Sequence, residues 1–240
     1  MSYRAFFGLT REPFGSELSL KEILQTPDLI SVKERFDYAI HLGAMALVTG
    51  DIGSGKSTAL RFSSGQLHPS EWRTLTITAT SGSILEFYRE MMAELGIEKS
   101  TSSRAVMIRL IKGEIQQLVQ GKKLKVVLMV DEASLMRLEV FAEVHTIAQF
   151  HHDSKSWLPI ILAGQSSVQE KLRFRSSQPL ASRIVARSHL EGLSRDDMEQ
   201  YLTHHLTIVI SSDIASVGSG ELMWYSDRRC DSGRISEVRN

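Results

Sequence analysis

The sequence predicts an α/β fold built on parallel strands, and three observations carry that prediction. Two apolar runs, Ala44–Thr49 and Lys125–Val130, each end in a cluster of small, polar or acidic residues, as buried parallel strands do when they deliver side chains to a sheet edge. Stretches with helical apolar spacing flank them, such as Leu29–Leu42, where Leu29, Val32, Phe36 and Ile40 fall on one face. Between the two runs, Arg73-Thr-Leu-Thr-Ile-Thr78 alternates as a further strand would.

The first cluster is Gly50-Asp51-Ile52-Gly53-Ser54-Gly55-Lys56-Ser57, which fits G-x-x-x-x-G-K-[ST], the phosphate-binding P-loop. Glycines accept positive φ and carry no Cβ, so the backbone can curl around an anion. The loop N–H groups and the start of the following helix, here from Thr58, then direct positive dipole at a β-phosphate. Residues Gly50 to Thr58 are therefore the expected nucleotide contacts, with Lys56 reaching the β- and γ-phosphates and the Ser57 hydroxyl ligating Mg²⁺.

The second cluster is Asp131-Glu132, at the end of Lys125-Val-Val-Leu-Met-Val130. Taken alone the pair could be two surface acids at a strand end, but with a P-loop upstream it is a Walker B pattern: Asp131 would hold Mg²⁺, usually through water, and Glu132, one residue on, would face the place of an attacking water. Trp157–Gly164 reads as another core strand with Gln165 at its tip, between the two motifs, where its amide either holds that water and senses the γ-phosphate or caps the turn. The strand inserted between P-loop and acid pair, with a glutamate beside the aspartate, is the ATPase arrangement; it argues against a small-molecule kinase. A guanine reader, Asn-Lys-x-Asp, is absent because the only asparagine is Asn240, so adenine is the expected base.

The remaining elements follow in order. Tyr3, Phe6, Phe7 and Phe14 form an aromatic arm, which either covers the base pocket or staples itself to the core. Ile84–Leu95 and Ser103–Val119 are amphipathic helices stopped by Gly96 and Gly121; Gly121–Lys125 is a basic, solvated turn. Leu138–Phe150 is a further helix, with His151-His152 as helix-end charge rather than a metal site. Lys171, Arg173 and Arg175 form a basic patch, the candidate contact for duplex DNA. Arg183 precedes a short strand, Ala186–Leu190. It is either a plain surface residue or an arginine on the outer face that reaches a neighbouring subunit, and Arg187 is surface. Ser194-Arg-Asp-Asp197 opens a last amphipathic helix. From Ser211 the chain is small and polar without a clear period.

Composition narrows the field. Lysine plus arginine balance aspartate plus glutamate at 28 each, so no global field draws the chain to nucleic acid or anionic lipid. One cysteine, Cys230, rules out an internal disulfide and suggests a reducing compartment. The N-terminus does not read as a signal peptide and no apolar run is long enough to span a bilayer, so a cytoplasmic protein is expected.

Together these residues resemble the AAA+ family, within it the general secretion pathway protein A type (ExeA-like) and the related transposition-helper ATPases. The resemblance is carried by Tyr3-Arg-Ala-Phe-Phe-Gly-Leu-Thr-Arg-Glu-Pro-Phe14, Thr49–Thr58, Val130-Asp-Glu-Ala133, Leu162-Ala-Gly-Gln165 and Leu180-Ala-Ser-Arg-Ile-Val-Ala-Arg-Ser-His-Leu-Glu-Gly-Leu-Ser194. It covers about residues 1–207. It implies a three-layer α/β/α sandwich with a five-stranded parallel sheet: an ATPase core over 1–193 and a helical lid, partial or divergent, over 194–240. It also implies ATP hydrolysis in homo-oligomers, Glu132 as base, Gln165 as sensor 1, Arg183 as the finger given to a neighbour, and Arg234 as sensor 2. A transposase or a secretion protein is the implied partner. The lack of a membrane segment and a cell-wall-binding part favours the mobile-element helper. An incomplete lid leaves open a nucleotide-binding switch with little turnover.

Overall fold

The computed structural model describes residues 3–15, 18–151 and 154–210. In chain order the helices are α1 (Tyr3–Phe6), α2 (Pro27–Leu42), α3 (Lys56–Ser64), α4 (Ile84–Glu94), α5 (Arg104–Gln116), α6 (Leu138–Ile147), α7 (Ser167–Arg173), α8 (Gln178–Ala181) and α9 (Arg195–Thr207). The strands are β1 (Met45–Gly50), β2 (Trp72–Thr78), β3 (Lys125–Asp131), β4 (Ile160–Gly164) and β5 (Ile184–Leu190). Two compact units result: Ser19–Arg195, and Met1–Leu18 with Asp196–Asn240.

In the larger unit the strands form one sheet, in the order β2-β3-β4-β1-β5, with every pair parallel. β1 and β4 lie inside the sheet and are buried along their whole length, whereas the edge strands β2 and β5 alternate buried and accessible residues. Side chains on a strand point alternately to opposite faces, and the core divides accordingly. Met45, Leu47, Leu128, Val130, Ile160 and Leu162 pack on one face with residues of α4, α5 and α6. Ala46, Val48, Val127, Met129, Ile161 and Ala163 pack on the other with α2 and α3. This is the expected three-layer sandwich with five parallel strands.

Local chemistry sets the boundaries. The Thr26 hydroxyl accepts the Leu29 N–H at 3.3 Å ahead of Pro27, and α2 ends on Gly43 at φ 65°. A Cβ on Gly43 would stand 2.3 Å from that of Ser156, so the helix exit needs glycine. Three predicted elements are shorter than the apolar pattern suggests. β4 begins at Ile160 because Pro159 has no N–H to give a ladder, although its carbonyl accepts from Leu128 at 3.0 Å. α6 stops at Ile147, and α5 gives way after Gln116 to a π-helical turn over Gln117–Gly121. In the other direction, β5 starts two residues earlier than predicted, at Ile184. Among the described residues no helix is long and apolar enough to cross a membrane.

In the smaller unit the arm is fastened to α9 and the residues just after it. Thr10 donates from N–H and hydroxyl to the Val209 carbonyl at 2.8 and 2.9 Å, and His205 bonds the Pro13 carbonyl through Nδ1 at 2.8 Å. Phe14 stacks on His205 and Tyr201, with ring centroids 5.6 and 6.4 Å away. Of the two readings of the arm aromatics, Phe14 thus acts as a staple, and its anchor is α9. His152, Cys230 and Arg234 lie outside the described residues.

Candidate functional site

The strand ends Gly50, Asp131 and Gly164 gather on one edge of the sheet, because all strands run the same way. The loop Asp51–Gly55 joins β1 to α3 there. Gly53 and Gly55 hold φ of 80° and 89°, left-handed values that side chains resist. Gly50 is required for another reason: a Cβ would come within 2.4 Å of Ser54 Oγ and 2.5 Å of the Leu190 carbonyl. Asp51, Ile52, Gly53, Ser57 and Thr58 are exposed, so the loop faces outward.

Three features fit this loop to a phosphate chain. α3 starts at Gly55 with no side chain capping its first N–H groups, which leaves its positive end for an anion. Lys56 is only 6% exposed, and Nζ donates to the Asp51 carbonyl at 2.7 Å. Among the described residues no carboxylate lies within ion-pair distance of it, so a buried cation stands without a counter-charge, a costly arrangement unless a ligand supplies one. Ser54 Oγ is buried and has no hydrogen-bond partner, a further orphaned polar atom in the loop.

Ser57 and Asp131 meet although 74 residues separate them: the Ser57 hydroxyl donates to Asp131 Oδ2 at 2.6 Å. A hydroxyl and a carboxylate together form the hard-oxygen pair that suits Mg²⁺. Asp131 Oδ1 accepts the N–H of Glu132 at 2.8 Å. Glu132 itself is left-handed, φ 52° and ψ 34°, at the start of a 3-10 turn over Ala133–Leu135. Its half-buried carboxylate has no hydrogen-bond or ionic partner among the described residues. β4 lies between β1 and β3, so Gln165, one residue past its end, stands between the two loops as the sequence suggested. Its amide likewise has no partner there; its carbonyl accepts from Val168 at 3.0 Å.

Arg183 is at the opposite edge. Its carbonyl accepts the Met45 N–H at 3.1 Å, at the start of β1, and Nη1 donates to the Pro179 carbonyl at 2.7 Å. Five residue steps of about 3.3 Å, roughly 16 Å, separate that end of β1 from Gly50. This arginine therefore does not reach the loop of its own chain.

The basic patch needs correction. Lys171 turns inward: Nζ donates to the carbonyls of Ser134 and Met136 at 2.5 and 2.6 Å and sits 5.9 Å from the centre of the Phe141 ring. Burial lowers its pKa from the usual lysine value. Only Arg173 and Arg175 remain exposed of the three. Sequence reasoning also missed the network beneath the loop. Thr49, 1% exposed, donates to the Ser188 carbonyl at 3.2 Å, contacts His189 Nδ1 at 3.0 Å and accepts from Gln169 Nε2 at 3.2 Å. The available signal was a lone threonine closing an apolar strand.

Comparison with known proteins agrees with this geometry. Residues 40–172, more than half of the chain, match the family model described as AAA domain. The chain is 30% identical over 220 residues to general secretion pathway protein A of Aeromonas hydrophila, covering 86% of this chain and 38% of that protein. The chain thus spans well under half the length of that relative. In fold it resembles Cdc6p from Pyrobaculum aerophilum (TM-score 0.64, 13% identity, 83% of this chain and 54% of that one). It resembles the Aeropyrum pernix ORC2 protein, solved in ADPNP–ADP complexes, to the same degree (TM-score 0.64, 12% identity, 85% and 57%). With its glycine loop, acid turn and Gln165 all inside the matched stretch, the chain belongs to the AAA domain family.

Proposed function

We propose that this protein binds ATP with Mg²⁺ and hydrolyses it, and that it works as a homo-oligomer. The observation that carries the reading is the contact between Ser57 and Asp131, which brings the acid strand to a loop holding a buried lysine with no carboxylate beside it among the described residues. Lys56 and the amides of residues 51–57 hold the phosphates. Ser57 and Asp131 would hold Mg²⁺, which when bound would supply neutralisation of charge on the phosphate oxygens. Glu132 accepts a proton from water as the water oxygen attacks the γ-phosphorus. The bond from that phosphorus to the bridging oxygen breaks, leaving ADP and phosphate. Gln165 orients the water by hydrogen bonding. Arg183, too far from its own loop, stabilises the charge in a neighbouring subunit.

Two measurements test this. Glu132→Gln is expected to bind ATP normally and to lose about 10²–10⁴-fold in turnover, the usual contribution of a general base. Wild-type phosphate release from that variant would overturn the assignment. Arg183→Ala is expected to lower turnover by about 10³–10⁵-fold while leaving nucleotide affinity alone; turnover that is unchanged, and independent of protein concentration, would remove the finger and the need for an oligomer.

For the process, the likeness to the Aeromonas protein supports a secretion-type ATPase; the transposition-helper reading rests on the resemblance of motifs alone. Duplex DNA as a ligand now rests on Arg173 and Arg175, and steeply salt-weakened binding is its test.

A further inference from the structure

The acid turn is held in an unusual conformation, and the side chain that holds it comes from α7. A glutamate with positive φ persists only where its surroundings over-determine it. Three constraints act on this one. The Asp131 carboxylate takes the Glu132 N–H at 2.8 Å. Gly164 presses on the turn from β4, so closely that a Cβ there would lie 2.8 Å from Ser134 N and 3.3 Å from Ala133 N. Finally, the 3-10 turn ends with carbonyls at Ser134 and Met136, and Lys171 Nζ takes both at once, at 2.5 and 2.6 Å. A cation on the last carbonyls of a helical turn is a favourable, charge-assisted arrangement.

The same helix also reaches the other loop. Gln169, two residues earlier on α7, donates to Thr49 beneath the glycine loop at 3.2 Å. Residues i and i+2 of a helix face different ways, so α7 engages β1 with one side and the acid turn with the other. It begins at Ser167, two residues after Gln165, and so contacts both the strand beneath the glycine loop and the acid turn.

We propose that Lys171 is a positioning residue for Glu132: its two hydrogen bonds hold the turn that aims the carboxylate at the attacking water. It does not touch nucleotide. This inference rests on Glu132 being the base. A misplacement of about 1 Å can lower a rate by about 10²-fold, so the predicted signature is lost turnover with retained binding.

The experiment compares Lys171→Met, Glu132→Gln and the double variant in the full chain. Lys171→Met is expected to lower turnover by about 10²-fold and to leave calorimetric affinity for a non-hydrolysable ATP analogue with Mg²⁺ unchanged. Added to Glu132→Gln it is expected to lower turnover no further, because both remove one function. A second readout needs no nucleotide: in hydrogen exchange, the Leu135 and Met136 amides of Lys171→Met should exchange faster by about tenfold or more, while those of α3 do not change. Should Lys171→Met fail to fold, Lys171→Gln, which keeps an amide donor, is expected to be intermediate in both readouts. Wild-type turnover in the Lys171 variant beside an inactive Glu132→Gln overturns the positioning role alone. Full turnover in Glu132→Gln overturns the base and Lys171's role with it. Equal loss of affinity and turnover would mark Lys171 as merely structural and also overturn the proposal.

Discussion

The loop after β1 and the turn after β3 both need left-handed backbone, and they fill it with different chemistry. In the first, the positions at φ 80° and 89° are Gly53 and Gly55, which adopt such angles without strain. In the second, the position at φ 52° is Glu132, for which that conformation costs about 1–2 kcal/mol. The glycine loop has little around it: a Cβ on Gly53 or Gly55 would meet nothing within 4 Å. The acid turn is gripped from three sides. A loop that wraps a ligand can wait for the ligand to organise it, whereas a carboxylate that must point in one direction has to be held before anything binds.

The largest expected effect breaks the comparison at the glycine loop. Lys56→Met removes the buried cation and is expected to cost about 2–5 kcal/mol of ATP binding, a loss of roughly 30-fold or more, read by calorimetry. Because Lys56 has no counter-charge among the described residues, the thermal midpoint without nucleotide is expected not to fall. Unchanged ATP affinity would mean that the triphosphate does not lie beside Lys56.

Next comes the grip on the acid turn. In Gly164→Ala the new methyl meets the Ser134 backbone nitrogen as well as Val168 Cγ2, each at 2.8 Å, and backbone cannot swing aside as a side-chain tip can, so the turn must shift. Overpacking of this kind costs about 1–3 kcal/mol, and each kcal/mol lowers the midpoint by about 2–4 °C in a domain of this size. A midpoint equal to wild type, with full turnover, would show that the turn is not tightly held.

The contrast also explains what could be read from the sequence. The glycine loop was legible because residue type and conformation agree: only glycine suits Gly50, Gly53 and Gly55, and the lysine and serine stand at fixed offsets. The sheet was legible because apolar runs in β1, β3 and β4 are buried on both faces. The left-handed state of Glu132 was not, since its cause lies in Gly164 and Lys171, 32 and 39 residues further along the chain. Lys171 was misread for a related reason. Beside Arg173 and Arg175 it forms a basic cluster in sequence, but helical geometry sends it the other way, onto carbonyls that no sequence pattern reveals. Arg183 lies out of reach of its own loop because a residue preceding a parallel strand lies at the far edge of the sheet.

The smallest effect is the most diagnostic, because its sign runs against intuition. Glu132→Gly supplies the residue that the backbone conformation prefers, and removes a carboxylate that has no partner among the described residues. Relief of strain offsets the greater unfolded-state freedom of glycine, for a net stabilisation of about 0.5–1 kcal/mol. The midpoint should rise by about 2–4 °C per kcal/mol, with ATP affinity unchanged and hydrolysis lost. A stability gain from deleting a group needed for turnover is the expected mark of a site shaped for chemistry rather than for folding. If the variant instead melts lower than wild type, Glu132 is a structural part of its turn, and the difference drawn between the two loops does not hold.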